Sequence, residues 1–320
     1  MSRPKILLTR RLPDAVQARA QRDYDATLNP GDDLMDAATI AARAAGMDGL
    51  LVTATEAMNA DAIAALPDGV RIIATFSVGY EHIDLAAAKA RGIAVTNTPE
   101  VLNDATADIA MLLLLAAARR ATEGQAMVRQ STWSGWTATD MLGAQVTGQR
   151  LGILGMGGIG QAVARRARGF DMEIHYHNRT RLPAELEQGA TYHETVRDLF
   201  AASRFLSLHC PLTPETRHVV NAESIEWLPP GAIVVNTARG PVVDDEALIA
   251  ALKSGRLGAA GLDVFEGEPK VNAGYLDLDN AFLLPHMGSA TVETRDAMGF
   301  RALDNLDAFF AGGTPRDRLA

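Results

Sequence analysis

Three residues suited to proton and anion chemistry each stand at the end of an apolar, strand-like run: Arg239 in AIVVNTARG, Glu268 in GLDVFEGEP and His286 in AFLLPHMG. An arginine fork grips a carboxylate and polarises a carbonyl, and an imidazole moves a proton near neutral pH. A carboxylate hydrogen-bonded to that imidazole favours its charged form and fixes its orientation. Taken singly, each has a bland reading as a turn cap, a solvated loop residue or a satisfied core histidine. Taken together, they read as a site. If the three runs are parallel strands of one sheet, their carboxyl ends open on one crevice, where such sheets bind ligands.

A second constellation is Gly155-Met156-Gly157-Gly158-Ile159-Gly160, between the apolar run 151–154 and a helical pattern that leads to a second strand ending at Asn178-Arg179. In a strand–turn–helix unit of about thirty residues, the first glycine turns the chain sharply. The second lets the backbone approach a pyrophosphate, and the third lets helix pack on strand. The helix N-terminus adds unpaired N–H groups and a positive dipole end. This is the pattern of a dinucleotide site. The tip of the second strand reads Asn178-Arg179-Thr180-Arg181, with no carboxylate to accept from a ribose 2′-OH. Arginines there suit a 2′-phosphate, so NADP(H) is the preferred cofactor, with NAD(H) possible.

These residues need strands to hold them. Runs rich in Val, Ile or Leu recur at 150–154, 173–177, 205–209, 232–236, 259–264 and 281–285, and most are separated by helical patterns such as 245–254. That alternation predicts a parallel sheet covered on both faces. The first hundred residues repeat it on a smaller scale, with strands in KILLT, DGLLVT, RIIATFS and AVTNT and helix segments at 61–66 and 85–91. A long helix is expected from about Glu100 to Ala121, with Pro99 at its N-terminal edge. The pattern of Met298, Leu303, Leu306 and Phe310 predicts a final helix that returns to the first domain. The fold class is therefore α/β in two domains. A dinucleotide-binding Rossmann sheet (99–288) is inserted into a smaller flavodoxin-like substrate domain (1–98 plus 289–320).

Composition fits a globular enzyme: 48% of the 320 residues are hydrophobic and 22% charged. With 30 basic and 39 acidic residues the net charge is −9, which argues against nucleic acid or an anionic membrane as partner. The most apolar stretch, 109–118, is too short to cross a bilayer. Cys210 is the single cysteine, so no internal disulfide can form, and its apolar setting predicts an inert buried thiol. MSRPKILLTR lacks a signal-peptide core, and the expected compartment is the cytoplasm. No His, Cys, Asp or Glu cluster has metal-ligand spacing, so no metal is expected.

The stretches VGYEHIDL (78–85), NTPEVLNDATADIAMLLLLAAARR (97–120), HCPLTPETRHVVN (209–221), NTARGPVVDDEALIAAL (236–252), AAGLDVFEGEP (259–269) and LLPHMGSAT (283–291), together with the glycine turn, resemble the D-isomer-specific 2-hydroxyacid dehydrogenase family. They resemble its glyoxylate/hydroxypyruvate reductase branch most. The resemblance covers nearly the whole chain and is weakest in the first forty-five residues. It implies reduction of a small 2-oxo acid to the D-2-hydroxy acid, with Arg239, Glu268 and His286 as the catalytic set and His286 as general acid. It further implies that the N–H groups of Val78 and Gly79 bind the substrate carboxylate. Thr106, Cys210, Pro211, Thr237, Ala238, Asp263 and Gly288 would line the cofactor alongside Arg239 and His286, with domain closure excluding water. Leu51, Phe76 and Trp136 are expected to set substrate size. Met287 stands where the family often has isoleucine. Trp133 and Trp136, in STWSGW, are expected in a loop that reaches a partner's site in a homodimer. The alternatives are a reductase for a bulkier 2-oxo acid and a non-catalytic, NAD(P)-sensing binding protein of the same fold.

Overall fold

The computed structural model describes residues 3–320 and divides the chain into two compact units, one running to Leu102 and resuming at Ser289–Ala320, the other spanning Asn103–Gly288. Residues 99–102, which the sequence reading assigns to the second domain, fall in the first. Local bonds within that unit hold them. The N–H of Thr98 donates to Ser77 O, and the Glu100 carboxylate accepts from Arg316 at 2.9 Å.

In the first unit, strands β1 (Lys5–Leu8), β2 (Asp25–Thr27), β3 (Gly49–Val52), β4 (Ile72–Thr75) and β5 (Ala94–Thr96) form an all-parallel sheet ordered β2-β1-β3-β4-β5. This is the flavodoxin-like order 2-1-3-4-5. Strand β2 is an addition to the expected set, because the half-exposed segment DAT carries no apolar run to announce it. The C-terminal helix Val292–Phe310, capped by the Thr291 side chain, does pack on this unit. Ala302, Leu303 and Leu306 are 0% exposed against Ile6, Leu8, Val16 and Ile72, while Phe310 is only partly buried. Burying each of the Leu, Ile and Val side chains here contributes about 1.5–3 kcal/mol.

The second unit holds β6 (Arg150–Leu154), β7 (Glu173–His177), β8 (Thr191–Tyr192), β9 (Phe205–Leu208), β10 (Ala232–Asn236), β11 (Leu257–Leu262) and β12 (Ala281–Leu283), all parallel, in the order β12-β11-β10-β9-β6-β7-β8. Counted from β6, this is the dinucleotide-binding order 3-2-1-4-5-6 with one strand added at the far edge. The two-residue edge strand β8 has too few residues to show a sequence signal. The registers pair His177 with Leu154, Leu154 with Leu208, Leu208 with Asn236, Asn236 with Leu262 and Leu262 with Leu283. Six strands therefore finish on one row.

The long helix expected over 100–121 is shorter at both ends, Asn103–Ala118. Glu100 has φ 72° and Arg120 has φ 54°, left-handed values that no helix interior accommodates, and a second helix, Ala121–Arg129, follows the break. Pro99 instead belongs to a turn, its carbonyl accepting from Val101 N–H. Ala107, Ala110, Leu113, Leu114, Ala117 and Ala118 are all nearly or fully buried, so the helix is apolar on most of its circumference, as a core helix must be.

His209, one residue past the common row, ties β9 to β10. Its Nε2 lies 2.8 Å from Ser207 Oγ and its Nδ1 3.2 Å from Thr237 Oγ1. Burial pushes the imidazole down to about 3, so it stays neutral across the working range. In the unfolded chain it titrates near 6.5. Its contribution is thus fully present above pH 6.5 and is lost progressively as pH falls towards 3, because the unfolded state then binds the extra proton. Urea unfolding between pH 7 and 4.5 should show stability falling, with His209 supplying up to about 1 kcal/mol per pH unit. His209→Gln should flatten that part of the slope.

Candidate active site

The glycine turn starts directly from the common row. Gly155 has φ 93°, and a Cβ there would lie 2.6 Å from Cys210 N, which brings the exits of β6 and β9 together. A Cβ on Gly160 would lie 2.5 Å from Gly155 O, so the following helix, Gly158–Arg168, sits directly against the turn. Around Gly157 the space a Cβ would take is open. Sharp turn, open face and close helix packing thus fall on the first, second and third glycines. The first intrahelical bond runs from Gln161 N–H to Gly157 O. The N–H groups of Gly158, Ile159 and Gly160 are left at the positive helix end beside the open face. The geometry fits a dinucleotide pyrophosphate.

Two residues expected to touch the cofactor have other work. Asn178 Oδ1 accepts the Met156 N–H at 2.6 Å, so that donor is unavailable to a phosphate, and the Met156 side chain is 0% exposed in the core. The bond fastens the tip of β7 to the glycine turn. Beyond it, Arg179 and Thr180 are exposed, whereas Arg181 is ion-paired to Glu187 at 2.7 Å. Cys210 is buried with its thiol pushed up to about 11 by desolvation, which matches an inert packing residue. Pro211 is exposed just beyond it.

Arg239, Glu268 and His286 follow β10, β11 and β12, three neighbouring strands in the sheet. Asn236, 1% exposed on the row itself, shapes the first exit: its Oδ1 accepts Ala238 N–H and its Nδ2 donates to Arg239 O, both at 2.9 Å. The Arg239 guanidinium donates to Ala238 O at 2.6 Å. Gly240 packs against the Phe265 backbone with no room for a side chain, which joins the exit of β10 to that of β11. The sequence reading did not single out Asn236, although a polar residue closing an apolar strand is a readable signal.

His286 Nδ1 lies 2.8 Å from Glu268 Oε2, and because a carboxylate only accepts, this nitrogen carries the proton and donates it. Its Nε2 is then the nitrogen left for other partners. The backbone around it is fixed on both sides. His286 N–H donates to Leu284 O, Met287 N–H donates to Asp263 Oδ1 at 2.7 Å, and the Thr106 hydroxyl donates to Gly288 O at 3.2 Å. Asp263 is 1% exposed and burial raises its carboxyl above the usual range, offset in part by these backbone donors and the His286 charge. Asp263 and Thr106, expected to line the cofactor, also hold the histidine loop.

In the first unit, the residues after β4 form a polar turn. Ser77 Oγ donates to Gly79 O at 2.6 Å, and Asn97 Nδ2 donates to Val78 O at 2.8 Å. Among the described residues, neither the Val78 nor the Gly79 N–H has a protein acceptor. Two carbonyls are tied back here, and two adjacent N–H groups are left over. Leu51, expected to set substrate size, is instead a core residue of β3. It is 1% exposed among Ile6, Leu8, Ile72 and Ala74, because the strand is covered on both faces. Phe76 packs partly buried against the same cluster, while Trp133 and Trp136 are 61% and 84% exposed.

Comparison with known proteins agrees with this arrangement. Residues 111–288 match the family model described as "D-isomer specific 2-hydroxyacid dehydrogenase, NAD binding domain". The chain is 47% identical over 322 residues to a glycerate dehydrogenase from Hyphomicrobium methylovorum, covering 100% of both. It is 43% identical to a glyoxylate reductase from Thermococcus litoralis, covering 98% of this chain and 96% of the relative. Among solved structures it is similar to an NADPH-dependent glyoxylate/hydroxypyruvate reductase from Sinorhizobium meliloti in complex with NADP and malonate (TM-score 0.90, 36% identity, 100% and 97% covered). With a dinucleotide turn, a positioned Glu–His pair and full-length relatives of this kind, the chain belongs to the D-isomer-specific 2-hydroxyacid dehydrogenase family, whose members are oxidoreductases.

Proposed function

We propose that this enzyme uses NADPH to reduce glyoxylate or hydroxypyruvate to the D-2-hydroxy acid, with His286 as the general acid. The observation that carries the reading is the 2.8 Å bond between His286 Nδ1 and Glu268, on loops leaving adjacent strands next to the exit that carries Arg239. A nicotinamide held at the dinucleotide turn would supply the hydride for the substrate carbonyl carbon. As negative charge builds on the carbonyl oxygen, the proton on His286 Nε2 passes to it. Glu268 stabilises the imidazolium before transfer and holds the ring on axis throughout. Arg239 fixes the substrate carboxylate and polarises the carbonyl, a task for a planar fork. In the first unit, the N–H groups of Val78 and Gly79 are proposed as carboxylate-binding donors. The backbone at Thr237 and Ala238, the exposed Pro211 and the glycine turn serve the cofactor.

The named relatives support small substrates, since they are a glycerate dehydrogenase and glyoxylate reductases. Support for NADPH comes from the absence of a carboxylate at 178–181 and from the NADP complex of the similar structure. A homodimer belongs to the same reading. Val128, Trp133, Trp136 and Leu142 are 61–84% exposed within one stretch, apolar surface that a second copy would cover. Trp136→Ser together with Trp133→Ser should lower the mass seen by light scattering towards that of a monomer, and an unchanged mass would remove this loop from the interface.

His286→Ala should leave NADPH binding, read by fluorescence titration, nearly intact while kcat falls by ~10²–10⁴-fold. An unchanged kcat would take the proton-donor role from His286. Arg239→Lys should raise KM for the 2-oxo acid and lower kcat together, because a point charge does not replace a bidentate fork. Near-wild-type constants would sink the Arg239 assignment. Initial rates with glyoxylate, hydroxypyruvate, pyruvate and a phenyl-substituted 2-oxo acid should rank the first two highest in kcat/KM. Preference for the phenyl compound would replace the small-substrate reading with the bulky one.

A further inference from the structure

We propose that Glu187 decides how the two arginines after β7 are used: it holds Arg181 in a structural ion pair, and Arg179 is the side chain that reads the 2′-phosphate. This rests on the NADP reading above and refines it. The loop 178–181 lies against the glycine turn, fastened by the bond from Met156 N–H to Asn178 Oδ1. Both arginines are therefore placed at the adenosine end of the dinucleotide site, and charge alone does not choose between them.

The geometry does. Arg181 donates through Nε to Glu187 Oε1 at 2.7 Å and through Nη2 to Oε2 at 3.1 Å, the two-point fork that makes such pairs strong. Its guanidinium carbon stands 5.6 Å from the centre of the Tyr192 ring. Glu187 is 7% exposed, and its Oε1 also accepts the hydroxyl of Tyr176, a fully buried residue, at 2.6 Å. That hydroxyl in turn accepts Leu182 N–H at 3.0 Å, and Arg168 donates to Glu187 O at 2.9 Å. To reach a phosphate, Arg181 would have to leave a nearly buried carboxylate with one neutral donor. The Arg181 side chain is 62% exposed, so the pair is partly solvated, but an unpaired Glu187 carboxylate would also repel the phosphate. The Arg181–Glu187 pair thus adds no net charge to the loop. Arg179 adds one. It is exposed and, among the described residues, makes no hydrogen bond or ion pair. The nearby carboxyl of Glu215, lowered chiefly by the Thr213 hydroxyl, is lowered further by the Arg179 charge.

Calorimetric titration of the full chain with adenosine 2′,5′-bisphosphate and with 5′-AMP isolates the 2′-phosphate, since the ratio of the two Kd values cancels the rest of the nucleotide. Arg179→Ala should cut the preference for the 2′-phosphate by about tenfold or more, the scale of a lost charge-assisted bond. Arg181→Ala alone should also weaken it, by unmasking Glu187. Adding Glu187→Gln should then restore the ratio to within about twofold of wild type, because a neutral pair has been removed. Glu187→Gln by itself keeps an acceptor for Tyr176, releases Arg181, and should raise the preference about threefold or more. A double variant that loses the preference as Arg179→Ala does would show that Arg181 reads the phosphate and overturn the proposal. A wild-type ratio near one would overturn the NADP reading and the role of Arg179 with it. The response to Glu187→Gln would still judge the lock, and a flat response would overturn that part alone.

Discussion

The chemistry of the second unit depends on a shared register: six parallel strands end on the row His177, Leu154, Leu208, Asn236, Leu262 and Leu283. Because hydrogen bonding fixes neighbouring strands to one another along this row, the residues just past it are placed together however far apart they lie in sequence. Gly155, His209, Thr237 and Asp263 are each one residue beyond, and Arg239 and His286 are each three residues beyond. A slip of one residue in any strand would turn its exit residue to the opposite face of the sheet.

Register brings the loops to one edge; buried polar side chains give them shape. Asn236 and Asp263, both 1% exposed, spend their oxygens and amide on backbone groups of the loops that carry Arg239 and His286. Such groups are tolerated inside because each is satisfied, and removing one would leave backbone donors unpaired at a cost of about 1–3 kcal/mol each. The Asn178–Met156 bond does the same for the cofactor turn. The loops that carry Arg239 and His286 are thereby held from beneath by buried polar residues.

How much of this could be read in the chain follows from the range of each interaction. The strands β6, β7, β9 and β10 and the glycine turn were legible because apolar runs and glycine spacing are local signals. The ends of apolar runs likewise located Arg239, Glu268 and His286. Strands β2 and β8 were not, since three or two half-exposed residues produce no pattern. The helix breaks at Glu100 and Arg120 are set by backbone conformations that their residue types do not announce. Leu51 could not be told from a pocket residue by type, because burial is decided by the strands beside it. The pairing of Arg181 with Glu187 was invisible for the same reason: they lie six positions apart in the chain, and only the fold around Tyr176 makes them partners.

His286 itself has φ 51°, a left-handed backbone that disfavours any residue with a Cβ by roughly 1–2 kcal/mol. The tight bonding of Met287, Gly288 and Leu284 keeps it there. Glycine or asparagine would sit in that conformation with less strain. His286 is thus a place where the folded state gives up stability. In its proposed role as proton donor, His286 is a residue on which stability and activity pull in opposite directions.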